Sequence, residues 1–162
     1  EMARHQMQLI ADTARNGMND VRRSVKALRP DSLENQSLSG ALNKMCTSMA
    51  ESSGASIKLE ENLEGLALSQ DEEDAVYRTV QEGITNAIRH GHATRVQVSC
   101  HVQDGVLTVE VKDNGIGCKS VMPGFGLQHM RERMDMLGGS FAYESTDGFC
   151  IRVMIPLRKK NG

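Results

Sequence analysis

Three short islands of acid, amide and glycine residues lie in the C-terminal half of this 162-residue chain. The first covers residues 82–90 and reads Glu-Gly-Ile-Thr-Asn-Ala-Ile-Arg-His. The second covers 113–117 and reads Asp-Asn-Gly-Ile-Gly. The third starts with Gly-Phe-Gly-Leu at 124–127 and runs on to Leu-Gly-Gly at 137–139. A fold that uses them together must bring a helix, a strand end and a glycine-rich turn to one place.

The first island places an acid and an amide on one side of a predicted helix. Glu82 and Asn86 are four residues apart, so their side chains project from the same face. Asn86 can offer its amide oxygen to Mg²⁺, and Glu82 can bind a metal-bound water or accept a proton. Because such a pair is also common on solvated helix faces, it indicates a site only together with the other islands.

The second island puts a carboxylate at the end of a predicted strand. Asp113 can accept a hydrogen bond from an exocyclic amine such as adenine N6, and it disfavours guanine, which has a carbonyl there. Gly115 and Gly117 allow close backbone approach or positive φ. The alternative is an ordinary turn, since Asp-Asn-Gly is a strong turn tripeptide.

The third island is a glycine-rich turn at a helix start. Backbone N–H groups after Gly124 and Gly126 favour an anion, and residues between Cys118 and Phe125 would act as a lid over phosphates. Arg89, Arg131 and Arg133 can each meet phosphate charge, and Arg89 is the nearest of them in the pattern. His90 either touches a phosphate, caps its helix or packs. Together the islands predict a nucleotide site, most simply one for Mg-ATP.

A heptad-like apolar stripe predicts one long amphipathic helix over residues 2–28, which Pro30 ends. A stripe this regular indicates packing against another helix, from a second chain or from upstream sequence. We therefore predict two parts, a dimerisation-type helix in residues 1–30 and a domain in residues 31–162.

The rest of the chain predicts an α+β fold, a two-layer sandwich of a mixed sheet with helices on one face. Helices are predicted over 38–52, about 70–90 with a Ser69–Glu72 capping box, and 126–137 with Gly138 after it. Strands are predicted over 55–59, around 96–100, 107–111, 140–145 and 149–155. Asp104-Gly105 and Asp147-Gly148 signal hairpin turns.

Composition excludes several classes of function. A net charge of −2 gives no argument for nucleic acid as a partner, and no apolar run approaches the ~20 residues of a membrane span. The chain opens on Glu1, so we expect a fragment of a longer protein, with any membrane attachment in missing parts. The four cysteines, Cys118 among them, have no metal-ligand spacing, which indicates a reduced, cytoplasmic compartment.

These residues resemble the N, G1 and G2 boxes of the GHKL ATPases, which share the Bergerat ATP-binding fold. Residues 77–90 and 124–139 are similar to the NarX- and DesK-like sensor histidine kinases in particular. The sequences Ala-Leu-Arg-Pro at 27–30 and Ser-Gly-Ala-Leu at 39–42 resemble that subfamily's junction between dimerisation helix and catalytic domain.

The resemblance implies ATP-dependent phosphorylation of a histidine, then transfer to the aspartate of a response regulator, expected to be of the LuxR/NarL type. It also implies a homodimeric parent, with ATP and Mg²⁺ as cofactors. Asn86 would take the magnesium role, Glu82 the acidic position of the N box, and Asp113 the adenine role. The other implied ATP contacts are Arg89, His90, Gly115, Gly117, Gly124, Gly126 and Leu127.

Three positions depart from the family pattern. His5 is followed by Gln6 rather than by an acid, so we read it as a surface or interface histidine and expect the phosphoacceptor to be missing. His129 stands where a glycine is frequent, and Phe149 where a small hydroxyl residue is usual.

Two alternatives remain beside the kinase. One is an interaction module that binds nucleotide without transferring phosphate, which the departures at His129 and Phe149 favour. The other is a stand-alone serine kinase or anti-sigma switch of the same superfamily, which the long helix before Pro30 disfavours.

Overall fold

The computed structural model describes residues 30–117 and 125–158. Contacts within the chain divide it into two units, the first ending at Asn35 and the second, Gln36–Gly162, containing the sheet. The predicted helix over 2–28, with His5, and the predicted lid, with Cys118 and Gly124, lie outside the described residues. The elements in chain order are α1 (Asp31–Glu34), α2 (Leu38–Ser53), β1 (Ser56–Glu61), α3 (Gln70–Arg89), β2 (Arg95–Gln103), β3 (Val106–Asp113), α4 (Phe125–Met136), β4 (Ser140–Glu144) and β5 (Cys150–Pro156).

The second unit is built on a five-stranded sheet with the order β1-β2-β3-β5-β4. Strand β1 pairs in parallel with β2, and the remaining pairs are antiparallel. The parallel pair is joined by a long crossover that contains α3, whereas a two-residue turn joins β2 to β3 and a five-residue loop joins β4 to β5. The predicted mixed sheet is therefore confirmed, including its sequence of strands and helices.

The apolar side chains of the strands line up on one face. Strand register places Leu59, Val98, Val111, Ile151 and Tyr143 in one row across the sheet. Helices α2, α3 and α4 contact the strands, and the central members of such rows are buried. The opposite face is polar, so alternation along each strand produces the two-layer architecture that the sequence predicted.

Helix α3 has the start that its sequence predicts. The Ser69 side chain accepts a hydrogen bond from the Glu72 N–H at 3.1 Å, and the Glu72 carboxylate accepts one from the Ser69 N–H at 3.0 Å. This reciprocal pair satisfies two backbone donors that a helix start leaves open. Val76, Val80 and Ile84 then bury one side of the helix completely.

A glycine sets how closely α3 approaches the sheet. A Cβ on Gly83 would lie 2.8–2.9 Å from three side-chain carbons of Val111, closer than carbon atoms pack. The backbone of α3 therefore packs directly against the Val111 side chain at this point. The residues that follow Gly83 on α3 are held close to the end of β3 for that reason.

Most turns and ends agree with the predictions to within one or two residues, but β2 runs three residues beyond Cys100, to Gln103, and the short helix α1 was not predicted. Asp104 and Gly105 both have positive φ (52° and 76°), as a type I′ hairpin turn requires, and Gly138 has φ 69° after α4. Strand β1 runs two residues beyond its predicted end. Its last residue, Glu61, accepts hydrogen bonds from the Ser39 hydroxyl at 2.6 Å and the Leu63 N–H at 2.7 Å, which hold it in register.

The described cysteines, Cys46, Cys100 and Cys150, are free thiols. Burial raises the pKa of Cys46 to about 11 and that of Cys100 to about 12, so both stay protonated at neutral pH. None of the described helices is long and apolar enough to cross a membrane.

We predict that Gly83→Ala destabilises the domain by about 1–3 kcal/mol, because the new methyl group overlaps Val111. Gly40→Ala is the control, since a Cβ there meets only the ends of two side chains, at 3.2 and 3.6 Å. Urea unfolding measures both variants. An equal, small effect of the two substitutions would contradict the close approach of α3 to β3.

Candidate nucleotide-binding site

Asp113 lies at the end of β3 with its side chain on the helix-covered face. It is 6% exposed, and its Oδ1 accepts hydrogen bonds from the N–H of Gly115 at 2.8 Å and of Phe149 at 3.2 Å. Its own N–H donates to the carbonyl of Phe149 at 2.9 Å. Both side-chain bonds use Oδ1, which leaves Oδ2 able to accept a bond from a ligand.

Two glycines make room around this carboxylate. A Cβ on Gly148, which has φ 86°, would overlap the carbonyl oxygen of Asp113. A Cβ on Gly115 would overlap the carbonyl oxygen of Gly91, and that oxygen accepts a 2.9 Å bond from the Ile116 N–H. The loop after β3 is therefore pressed against the segment that follows α3.

The predicted residues of α3 form a stripe along that helix. Glu82 and Asn86 are half-buried, and Arg89 and His90 are exposed at its C-terminal end. The backbone carbonyl of Asn86 accepts bonds from the N–H groups of His90 and Gly91 at 3.0 and 3.1 Å. These bonds at the end of α3 use the backbone carbonyl of Asn86 and not its side-chain amide.

The other end of the stripe lies against the start of α4. A Cβ on Gly126 would overlap the carboxylate of Glu82. From Glu82 to Arg89, where α3 ends, the helix advances about 10 Å at 1.5 Å per residue, and Gly91 follows directly. The Asp113 loop lies at one end of this span and the α4 N-terminus at the other, which leaves Asn86 between them.

Helix α4 is held on the sheet by an apolar cluster. Leu127, Met130 and Ile151 are buried in it, and Phe141 and Phe149 pack against them. Leu127 thereby fixes the first turn of α4, and the predicted contact of this residue with ATP remains a prediction. The remaining predicted glycine of the second island, Gly117, has φ 68°.

The structure accounts for the unusual Phe149. Its ring stacks on Tyr143, with 5.7 Å between centroids, and belongs to the apolar cluster, while its backbone N–H and carbonyl bond Asp113. The large side chain of Phe149 thus packs against α4, while the backbone of the same residue helps to orient Asp113. His129 is half-buried on α4.

Sequence reasoning missed three groups near Asp113. The N–H of Phe149 and the carbonyl of Gly91 contact the site through the backbone, which carries no sequence signal. Asn114 was read only as part of a turn, yet its side chain bonds the start of β2. An Asn directly after a strand, where side chains hydrogen-bond neighbouring backbone, was the available signal.

The residues present fit a magnesium ion held jointly with phosphates. Among residues 30–117 and 125–158 there is no group of three or more His, Cys, Asp or Glu side chains able to hold a metal. Mg²⁺ is usually bound by one or two protein oxygens, with waters and phosphate oxygens completing the shell. Asn86 and Glu82 supply oxygens of that number on one helix face.

The buried Asp113 at a strand end, the acid and amide on α3, and the start of α4 against Glu82 have the arrangement expected of a nucleotide site. Comparison with known families agrees. Residues 71–159 match the family described as histidine kinase-, DNA gyrase B-, and HSP90-like ATPase. This match covers more than half of the chain, and the chain belongs to that family.

Individual relatives are sensor kinases. The chain is 33% identical over 154 residues to the signal transduction histidine-protein kinase/phosphatase UhpB of Salmonella typhimurium, covering 93% of this chain and 31% of that protein. It is 31% identical over 152 residues to the nitrate/nitrite sensor protein NarQ of Escherichia coli, covering 90% and 27%. The chain therefore spans about a third of the length of these relatives.

Solved structures share the fold. The histidine kinase domain of the blue-light activated kinase from Erythrobacter litoralis EL346 superposes with a TM-score of 0.65 at 21% identity, over 74% of this chain and 61% of that one. The Acinetobacter baumannii histidine kinase AdeS gives a TM-score of 0.62 at 16% identity, over 75% and 64%. The chain therefore has the fold of histidine kinase catalytic domains.

We predict that the contact between Glu82 and Gly126 appears in a double-mutant cycle. In the wild-type background Gly126→Ala forces the carboxylate aside and destabilises the domain. In a Glu82→Ala background the same change is neutral or stabilising by up to about 1 kcal/mol, since Ala favours helix over Gly. Urea unfolding of the four proteins measures the cycle, and equal effects in both backgrounds would contradict the contact.

Proposed function

We propose that this domain binds Mg-ATP between α3, the 113–117 loop and the start of α4, and transfers the γ-phosphate to a histidine on a dimerisation helix. The phosphate then passes to an aspartate of a response regulator. The observation that carries the proposal is the Asp113 carboxylate, buried at the end of β3 with one oxygen bonded and the other oxygen available.

At the adenine end, the proposal assigns recognition of the base to Asp113. An oxygen held by two backbone N–H groups keeps the carboxylate in one orientation, so its second oxygen can accept from the 6-amino group of adenine. Gly115 and Gly117 let backbone approach the base. A 6-carbonyl group would face the same acceptor without a proton, which selects against guanine.

At the phosphate end, Asn86 would hold Mg²⁺ through its amide oxygen and Glu82 would act directly or through water. The metal neutralises charge on the phosphates when it is bound. The backbone at Gly124 and Gly126 would meet phosphate charge. Arg89 and His90 lie at the other end of α3, nearer the Asp113 loop, so their proposed phosphate contacts require side chains that extend back toward Asn86. Glu82, beside the α4 N-terminus, is also the acid best placed to orient the acceptor histidine or accept its proton.

The partners follow from the kinds of protein that the chain resembles. UhpB and NarQ are named as a signalling kinase and a sensor, so the parent chain is proposed to be a homodimer that phosphorylates a response regulator of the LuxR/NarL type. The domain would act in the cytoplasm, with any membrane attachment in other parts of the parent. Its dimerisation-type helix is assigned to residues 1–30 and its catalytic domain to 31–162.

Phosphotransfer in trans separates the kinase from a module that only binds nucleotide. The chain is incubated with Mg-ATP labelled at the γ-phosphate and with a separately produced dimerisation region of its parent. We expect acid-labile label on a histidine of that region and none on His5. Tight ATP binding with no transfer would support the interaction module instead.

We predict that Asp113→Asn weakens ATP binding about 10- to 100-fold with little change in melting temperature. Asn keeps an oxygen for the N–H groups of Gly115 and Phe149, but it presents an NH₂ donor to the 6-amino group. Asp147→Asn, the same charge change in an exposed turn, is the control. Unchanged affinity of Asp113→Asn in calorimetry would contradict the adenine assignment.

We predict that Asn86→Asp alters the magnesium dependence of ATP binding and transfer more than it alters folding. The helix end uses only the backbone carbonyl of Asn86, while the new charge changes the metal site. Asn43→Asp on the exposed side of α2 is the control. A large fall in the melting temperature of the ligand-free Asn86→Asp protein would identify Asn86 as structural.

A further inference from the structure

Asn114 bonds the start of the neighbouring strand with both ends of its side-chain amide. Its Oδ1 accepts hydrogen bonds from the N–H groups of Thr94 at 3.0 Å and Arg95 at 2.9 Å, and its Nδ2 donates to the Thr94 hydroxyl at 2.9 Å. Its backbone N–H donates to the carbonyl of Arg95 at 3.2 Å. These bonds continue the pairing of β2 and β3 beyond its last strand pair, Val96 with Asp113.

The segment that Asn114 bonds, at Thr94 and Arg95, is itself held by hydrogen bonds to other elements. The carbonyl of Thr94 accepts a 2.9 Å bond from the N–H of Ser56, so the segment is tied to β1 as well. The same segment begins at Gly91, whose carbonyl accepts from Ile116, and Ala93 donates to the carbonyl of Ala87 on α3. Asn114 therefore joins the loop after β3 to the segment that ends α3.

We propose that Asn114 is a positioning residue for adenine recognition. Its side chain holds the backbone directly after Asp113, so that the Gly115 N–H stays on Oδ1 and Oδ2 faces the base. The proposal rests on the proposed function, because it concerns the same nucleotide site. Without these bonds the Gly115 N–H is less firmly placed and the Phe149 N–H alone holds Oδ1, so the direction of the acceptor for the 6-amino group is less well fixed.

The test compares ATP with the analogue whose purine carries hydrogen in place of the 6-amino group. Wild-type protein binds ATP more tightly, and the affinity ratio reports the bond from that amine to Asp113. We expect Asn114→Ala to reduce the ratio about tenfold by weakening ATP binding, with the affinity for the analogue unchanged. A purely structural role for Asn114 would lower the melting temperature and leave the ratio intact.

The chain offers a matched control at the opposite end of the sheet. Asn62 follows β1 and bonds β2 in the same way, accepting from the Val102 N–H at 2.8 Å and donating to the Val102 carbonyl at 3.4 Å. Asn62→Ala should reduce stability and leave the ATP preference unchanged. An equal loss of preference in both variants would overturn the proposal.

A second variant keeps the test decisive if Asn114→Ala does not fold. Thr94→Val removes only the hydroxyl that Asn114 donates to and retains both backbone bonds, so it should lower the ratio in the same direction by a smaller factor. If a folded Asn114→Ala protein keeps the wild-type affinity ratio, the positioning role is overturned and the proposed function stands. If only Thr94→Val folds, the same result in that variant has the same meaning. A wild-type chain that does not distinguish the two nucleotides overturns the proposed function and this inference with it.

Discussion

The site depends on a carboxylate that is buried where a strand ends. Removing a charged group from water is costly unless hydrogen bonds compensate it, and Asp113 receives two from backbone N–H groups on separate segments. One donor follows β3 directly, and the other, Phe149, comes from the turn before β5. The carboxylate therefore links these segments, and their positions in turn fix its orientation.

Glycines allow the surrounding backbone to come close enough for this arrangement. Gly83 lets α3 approach Val111. A side chain at Gly115 or Gly148 would overlap a backbone carbonyl oxygen, so only glycine allows the approach there. The consequence is that the proposed nucleotide site has closely packed backbone beside Asp113. Such backbone suits a flat base and an anionic tail, both of which backbone groups can contact at short range.

Much of the architecture could be predicted because its signals are local. The Ser69–Glu72 capping box, the Asp104-Gly105 turn and the alternation in β2 and β3 each depend on residues close in sequence, and all three are present. The alignment of Glu82 with Asn86 followed from helical spacing in the same way.

Contacts between distant segments could not be read from the chain. The Phe149 N–H reaches Asp113 across 36 positions, and Glu82 touches Gly126 across 44, through packing that no local pattern encodes. The unusual size of Phe149 counted against a regular site in the sequence, whereas in the structure its ring lies under α4 and only its backbone meets Asp113. Asn114 was undervalued because a turn explains Asp-Asn-Gly without reference to β2.

The central claim is that Asp113, the α3 residues Glu82 and Asn86, and the start of α4 surround one nucleotide. A crystal structure of the domain with Mg²⁺ and a non-hydrolysable ATP analogue tests this directly. We expect the 6-amino group within hydrogen-bonding distance of Asp113 Oδ2 and the metal bound by the Asn86 amide oxygen. A nucleotide seated elsewhere, or one whose base and metal avoid these two residues, would contradict it.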